Sequence, residues 1–180
     1  QGDGCDLRID GDQDLLNKVK AEVVDGILTL TYQSDVEDWT GLTWIGQEHR
    51  LRYFLTVKDL SMVELAGAGS IRCEALQGDS LQLKHSGAGK MTVEALNLNS
   101  LDVDLGGLGE INLTGEVQRQ KVDLSGAGSY RAEALRSQQG EIAISGAGSA
   151  RVWVEESLSA HVSGAGSIKY KGNPSLDQSN

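Results

Sequence analysis

Apolar and polar residues alternate with a period of two along most of this chain. The alternation is clear at residues 101–105 (Leu-Asp-Val-Asp-Leu) and again at residues 91–95 (Met-Thr-Val-Glu-Ala), with glycine-rich corners between such stretches. Period two over four to six residues is typical of a β-strand with one buried face. No helical spacing competes in these stretches, so the pattern predicts short strands separated by corners.

The corners recur at a nearly constant interval. A Gly-x-Gly phrase occurs six times, and the steps between first glycines are 20, 20, 19, 20 and 18 residues. The phrases begin at Gly67, Gly87, Gly107, Gly126, Gly146 and Gly164. A repeat of this length is too short for a helix plus two strands, but it fits one turn of a β-helix. The sequence therefore predicts an all-β parallel β-helix, or solenoid, of about six rungs of roughly 20 residues.

Stacking in register turns each inward position into a column that runs through the rungs. One predicted inward column follows the corners: Ile71, Met91, Ile111, Tyr130, Ala150 and Ile168. A second precedes them: Leu65, His85, Leu105, Leu124, Ile144 and Val162. His85 interrupts an aliphatic column, so it is either a buried, hydrogen-bonded histidine or one displaced outward by a bulge. We favour the buried histidine.

Glycine at each corner has a steric reason. The chain must bend beside the next rung, and glycine tolerates positive φ or close backbone approach where a Cβ would clash. A phosphate-binding loop is the alternative, but the G-x-G-x-x-G spacing fails at every copy. We therefore interpret the phrases as structural corners.

The sequence divides into three parts. Residues 1–58 do not follow the repeat, and they contain a candidate helical turn at residues 14–19 and a hairpin pattern around Asp25-Gly26. We expect them to cap the first rung and to continue into the solenoid. Residues 59–174 hold the repeats. Residues 175–180 are predicted to be a polar tail, because the preceding proline cannot donate to a strand ladder.

Aromatic residues concentrate in the part without repeats. Five of the eight fall within residues 32–54, among them Trp39 and Trp44, and His49 lies in the same segment. Trp and Tyr combine large apolar area with a polar group, which is typical of contact surfaces. A flap that seals the open core of the first rung is the other interpretation, and we favour it over a surface that contacts a partner.

Charge and composition limit the classes of molecule that are expected as partners. A formal net charge of −10 repels phosphate backbones and anionic headgroups, so nucleic acid is not expected as a partner. No apolar run reaches the roughly 18 residues of a membrane span, and direct membrane insertion is not expected either. The two cysteines, Cys5 and Cys73, set no disulfide framework, and whether they pair stays open.

Outward positions are where a site on a β-helix would lie, because inward side chains are used in packing. Behind the corners one outward column reads Arg72, Thr92, Asn112, Arg131, Arg151 and Lys169, and its neighbour is predicted to read Glu74, Glu94, Thr114, Glu133 and Trp153. The pattern indicates either a solvated lattice of weak ion pairs or a polar face for protein or glycan contact. Arg131, Arg151 and Trp153 are its candidate contacts, and apolar area at Trp153 also predicts a small homo-oligomer.

Asp102, Asp104 and Asp123 precede the corners and form an acidic group similar to the calcium-binding carboxylates of β-helix polysaccharide lyases. Calcium takes about 6–8 converging oxygens, and alternating residues on a flat sheet converge poorly, so we predict no metal and no cofactor. The histidines lack zinc-ligand spacing, and the serines recur at every corner as part of the repeat. The sequence therefore predicts no enzyme. A calcium-dependent glycan binder or lyase and a carrier of lipid or small ligands are the alternatives.

Residues 14–19 (Asp-Leu-Leu-Asn-Lys-Val), the serial Ser-Gly-Ala-Gly-Ser phrases and residues 166–174 (Gly-Ser-Ile-Lys-Tyr-Lys-Gly-Asn-Pro) together resemble the head GIN domain family of putative auto-transporter adhesins. The resemblance covers nearly the whole chain. It implies a right-handed parallel β-helix in an exported Gram-negative protein of the periplasm, outer-membrane surface or extracellular space. It implies no enzymatic activity and supplies no catalytic residue. Family members usually carry one more strand before the segment that begins here at Gln1.

The leading hypothesis combines the resemblance with the surface pattern. We expect a non-enzymatic surface module that binds protein or glycan partners through its outer faces and through Trp39, Trp44 and His49. The sequence does not identify the receptor.

Overall fold

A computed structural model describes residues 6–33, 51–57 and 59–179, apart from the side chains of Asp14, Gln178 and Ser179. The chain divides between Lys58 and Asp59 into two compact units. The predictions for the aromatic segment and for Cys5 fall outside the described residues. The candidate residues affected are Trp39, Trp44 and His49.

The first unit contains two antiparallel strand pairs and one helical turn. Its elements are β1 (Asp6–Asp10), α1 (Gln13–Leu16), β2 (Val19–Val24), β3 (Ile27–Tyr32) and β4 (Arg52–Thr56). Strand β1 pairs with β4, and β2 pairs with β3. Asp25 and Gly26 join β2 to β3 with φ angles of 51° and 78°, the left-handed geometry that favours Asp-Gly in a tight hairpin. The predicted hairpin and helical turn are confirmed, and the capping role of this unit stays a prediction.

The second unit is a parallel β-solenoid, as the repeat predicted. Its strands are β5 (Met62–Leu65), β6 (Ala68–Cys73), β7 (Leu76–His85), β8 (Ala88–Leu105), β9 (Glu110–Leu124), β10 (Ser129–Ile144), β11 (Ser149–Val162), β12 (Ser167–Lys171) and β13 (Ser175–Ser179). Each strand pairs in parallel with strands one repeat away, and together they make about six turns.

The predicted inward columns are in register and lie in one core. Ile111 pairs with Met91 on β8 and with Tyr130 on β10, and all three side chains are at most 2% exposed. In the second column, Leu105 pairs with His85 and with Leu124, which are equally buried. Apolar burial along these columns is the main favourable contribution to folding of the unit.

Close approach between rungs explains the corner glycines. A Cβ added to Gly107 would overlap the carbonyl oxygen of Gly87, and one added to Gly146 would overlap that of Gly126. The backbone ladder also continues through the corner, because the Ala127 N–H donates to the Gly107 carbonyl at 3.1 Å. Most of the first glycines are therefore required because a side chain does not fit between the rungs.

The prediction of a polar tail is wrong for Ser175–Ser179. These residues form β13, which pairs in parallel with residues 157–161 of β11 and adds a further strand to the stack. Gly172, with a φ of 103°, turns the chain, and Pro174 precedes the ladder, where its missing N–H removes no strand hydrogen bond. Leu176 continues the inward column of Leu158 and is 43% exposed.

Candidate functional site

The outer face behind the corners carries the densest set of charged contacts among the described residues. We call it the ladder face and define it by Lys90, Glu110, Arg131, Glu133, Arg136, Arg151, Trp153, Glu155, Lys169 and Lys171. Its central column was predicted from the sequence, and the register confirms it, since Arg131 pairs with Asn112 and Arg151, and Arg151 pairs with Lys169. In-register pairing fixes the backbone of these residues one rung apart, roughly 4.8 Å.

Glu110 is held by donors from three strands. Its Oε1 accepts hydrogen bonds from Lys90 Nζ at 2.8 Å and Asn112 Nδ2 at 2.7 Å, and its Oε2 lies 3.1 Å from an Arg131 guanidinium nitrogen. The hydrogen bonds from Lys90 and Asn112, with the Arg131 charge, lower the pKa of Glu110 below its ordinary value. Glu110 thereby positions cations from the rungs on either side of it.

Trp153 is half-buried on β11, between cations of the preceding and following rungs. Lys171 Nζ lies 3.9 Å from the ring centroid, and Arg136 Cζ lies 6.0 Å from it. The indole Nε1 donates to Glu155 Oε1 at 3.0 Å, and the same oxygen lies 3.2 Å from Arg136 Nε. The Trp153 ring therefore holds two cations in cation–π contacts.

The predicted neighbour column, with Trp153 beyond Glu133, is wrong. Trp153 pairs with Arg136, because a bulge in β10 separates Ala132 from Arg136 while their partners on β11 are consecutive. Thr114 likewise pairs with Ala134 and not with Glu133. The prediction of a homo-oligomer rests on apolar area at Trp153, and two cations already contact that ring. Trp153 therefore gives little reason to expect an oligomer, which stays a prediction.

The cations toward the C-terminal end of the ladder face are loosely paired. The Arg151 guanidinium lies 3.9 Å from Glu133 Oε1, at the limit of an ion pair. Lys169, the next residue in the column, has no ion pair within the described residues. Lys171 contacts the indole of Trp153. Exposed pairs of this kind contribute only about 0–1 kcal/mol, so these cations can exchange their partners at little cost.

Asp102, Asp104 and Asp123 lie exposed on the face before the corners. Asp104 and Asp123 are neighbours on adjacent rungs, and Asp102 pairs with Lys121. Glu141, 3.5 Å away, and then Asp123 and Asp102 raise the pKa of Lys121. Across the described ranges, no three His, Cys, Asp or Glu side chains are grouped so that they could hold a metal. These carboxylates surround a lysine, and Gln82 donates to Asp104 at 3.3 Å.

A chain of buried hydrogen bonds crosses the core beneath Trp153. The Tyr130 hydroxyl donates to Gln120 Oε1 at 3.0 Å, Gln120 Nε2 donates to Ser137 Oγ at 2.7 Å, and Ser137 Oγ donates to the Trp153 carbonyl at 2.7 Å. All three side chains are fully buried, and burial raises the pKa of Tyr130 far above its ordinary value. The alternating pattern does not predict this network, although Gln120 and Ser137 are polar exceptions in apolar columns.

The two described histidines differ in their environments. His85 is 1% exposed, as the favoured interpretation predicted, and its Nδ1 accepts a hydrogen bond from the Gly87 N–H at 3.1 Å. Its Nε2 has no hydrogen-bond partner and points toward Gly109. His161 lies on the outer face and is exposed.

Cys73 lies at the edge of the core. Its thiol donates to the Ala75 carbonyl at 3.5 Å, and burial raises its pKa, which lowers the thiolate fraction at neutral pH. Cys73 is a free cysteine, and Cys5 lies outside the described residues. Among the described residues no helix has the length and apolar character of a membrane span.

A parallel β-solenoid with register-matched outer side chains belongs to the class of repeat proteins that present extended surfaces. The chain belongs to the family described as putative auto-transporter adhesin, head GIN domain, which matches residues 1–174. The resemblance found in the sequence is thus confirmed. The family description implies a surface or exported protein.

Solved structures show the same fold. The chain is similar to a putative adhesin from Bacteroides fragilis, with 27% identity, a TM-score of 0.86 and coverage of 98% of this chain and 78% of that one. It is also similar to a putative lipid binding protein from Parabacteroides distasonis, with 21% identity, a TM-score of 0.75 and coverage of 99% and 82%. A putative adhesin from Parabacteroides merdae matches with 22% identity, a TM-score of 0.69 and coverage of 99% and 81%. No curated protein sequence matches this chain.

Proposed function

We propose that this chain is a non-enzymatic binding module of an exported protein, and that it contacts a protein or glycan partner through the ladder face. The observation that carries the proposal is the column of Arg131, Arg151 and Lys169, whose backbone positions are fixed one rung apart by parallel pairing. A surface whose backbone is already ordered loses only side-chain conformational entropy when it binds.

The expected mechanism is multivalent contact. Each exposed charged contact contributes about 0–1 kcal/mol, but contacts repeated over several rungs engage one extended partner together. The family description, that of an adhesin, supports binding as the role. The proposed location is the periplasm, the outer-membrane surface or the extracellular space.

The chemistry of the described residues also favours binding over catalysis. His85 is enclosed in the core with Nδ1 already bonded, so it cannot reach a substrate. The acidic residues before the corners lie along a flat sheet and are compensated by Lys121. Neither arrangement places a base beside a nucleophile, which acid–base or nucleophilic catalysis would need.

A binding screen with charge-matched variants tests the proposal. The immobilised chain of residues 1–180 is tested against a glycan array and a panel of surface proteins, beside Arg131→Glu/Arg151→Glu and Lys84→Glu/Lys121→Glu. Both double variants change the net charge equally, but only the first alters the ladder face. We expect the first to lose the partner and the second to keep it. A partner that binds both variants as tightly as it binds wild type would refute the proposal that the ladder face is the binding surface. A Trp39→Ala/Trp44→Ala variant would then test the aromatic segment.

A further inference from the structure

The charges of the ladder face are unevenly distributed along the solenoid. Its C-terminal part, which we call the cationic strip, comprises Arg131, Arg136, Arg151, Lys169 and Lys171. These are five of the ten Lys and Arg residues in residues 59–180, and the carboxylates that contact them are Glu110, Glu133 and Glu155. A local excess of positive charge thus lies on a chain whose formal net charge is −10.

Resting on the proposed function, we propose that the cationic strip binds a linear polysaccharide that carries a carboxylate on each sugar, lying along the solenoid axis. Arg131, Arg151 and Lys169 form one column with one cation per rung, and Trp153 and Lys171 pair one rung apart beside it. A regular polymer of acidic sugars presents its carboxylates at intervals along one direction, as the strip presents its cations. Complementary charge in matching order gives both affinity and orientation.

The strip has cations free to take a new acceptor. Lys169 has no ion pair in the described part of the chain, and the Arg151 guanidinium is 3.9 Å from its nearest carboxylate oxygen. Guanidinium groups bind carboxylates through two parallel hydrogen bonds, which makes Arg151 suited to a uronate. Trp153 keeps the Lys171 ammonium 3.9 Å from its ring centroid, so this cation is partly ordered before a ligand arrives.

Other polyanions fit the strip less well. Duplex DNA carries one charge per roughly 1.7 Å of its axis, which is denser than the five cations that the strip distributes over three rungs spaced roughly 4.8 Å apart. Single strands are usually held by bases stacked on exposed aromatic rings, whereas the Trp153 ring is already contacted by Lys171 and Arg136. An anionic membrane would face a wide area of the protein, whose net charge of −10 opposes that approach, whereas a single polymer chain can contact the cationic strip alone. A polymer of lower charge density is therefore the better match.

Titration calorimetry of the full chain with polygalacturonate oligomers tests the inference. We expect binding that weakens as the salt concentration rises from about 0.05 M to about 0.5 M, because exposed charges are screened. Lys169→Glu/Lys171→Glu is expected to lower affinity at least about tenfold, since two attractive contacts become repulsive. Lys84→Glu/Lys121→Glu carries the same charge change on the other face and is expected to retain affinity within about threefold. Circular dichroism confirms that each variant is folded.

Several results would overturn the inference. These are no detectable binding by wild type, equal losses in the two double variants, or tighter binding of single-stranded DNA, dextran sulfate or phosphatidylserine vesicles than of polygalacturonate. The proposed function fails separately. If acidic polysaccharides do not bind, but a partner from the screen is lost with Arg131→Glu/Arg151→Glu, only the inference about the ligand is wrong.

Discussion

Replacing His85 with leucine is expected to stabilise the protein, although it removes a hydrogen bond. His85 lies between Leu65 and Leu105 in an otherwise aliphatic column and is 1% exposed. Its Nδ1 accepts from the Gly87 N–H, so the neutral ring carries its proton on Nε2, which has no acceptor. The core therefore contains one buried donor without a partner.

The magnitude follows from two opposing effects. A buried donor that has lost water without gaining a partner costs about 1–3 kcal/mol, and leucine removes it while filling a similar volume. The lost bond to Gly87 contributes about 0.5–1.5 kcal/mol. Gly87 is half-buried, so water can take over part of that bond. We expect His85→Leu to raise the free energy of unfolding by about 1 kcal/mol.

Urea unfolding of wild type, His85→Leu and His85→Ala measures this difference. The leucine variant should shift the midpoint upward with an unchanged m value, which shows that only stability has changed. The alanine variant should lose about 2–4 kcal/mol, because it leaves a cavity in the column. A leucine variant less stable than wild type by about 1 kcal/mol or more would refute the reasoning, since His85 would then have a partner such as buried water.

Three further predictions concern the corners, the buried network and the ladder face. Gly107→Ala should lower the free energy of unfolding measured in urea by about 1–3 kcal/mol, because the added Cβ would meet backbone atoms. Gly69→Ala should be nearly neutral, because the nearest atom to its added Cβ is 3.6 Å away. Equal effects of the two substitutions would contradict this explanation. Ser137→Ala should cost about 1–3 kcal/mol by the same measurement, and a neutral result would mean that the network is dispensable. The folded pKa of Glu110 is lowered, so its stabilisation is present above the unfolded pKa and is lost as pH falls through the folded pKa. Thermal melts of wild type and Glu110→Gln should therefore converge below about pH 4, and a constant difference at all pH values would contradict the assignment.

The fold could be predicted from the sequence because every rung faces the same steric demands. At the corners between two rungs a backbone carbonyl of the preceding rung lies where a Cβ would be, so glycine recurs there. The spacing of about 20 residues then identifies which residues become neighbours on adjacent rungs. Ile71 and Ile168, at the two ends of their column, were placed by this spacing alone and pack against the core.

The misplaced residues lie where the rungs differ. The bulge between Ala132 and Arg136 shifts the register of the residues that follow it on β10. The sequence does not reveal this shift, because the spacing between corners stays near 20 residues. Trp153 was therefore assigned to the wrong column. The sequence pattern does not predict β13, because Pro174 lacks an N–H and indicates an end to pairing, whereas a proline before a strand leaves the ladder of that strand intact. Two of the candidate contacts, Arg131 and Arg151, needed only the corner register and were placed correctly.

The buried network connects the core to the outer surface across three adjacent strands, β9, β10 and β11. The hydrogen bonds that begin at the Tyr130 hydroxyl end on the backbone carbonyl of Trp153, whose side chain on the other face supports Lys171 and Arg136. Interior residues of β9 and β10 therefore help to fix the position from which Trp153 on β11 contacts the cations of β10 and β12. Because a buried chain that loses one member leaves the others unsatisfied, Ser137→Ala should loosen the strand beneath the indole. A loss of polygalacturonate affinity in this variant, which leaves every surface charge in place, would show that binding depends on the order of the cations as well as on their number.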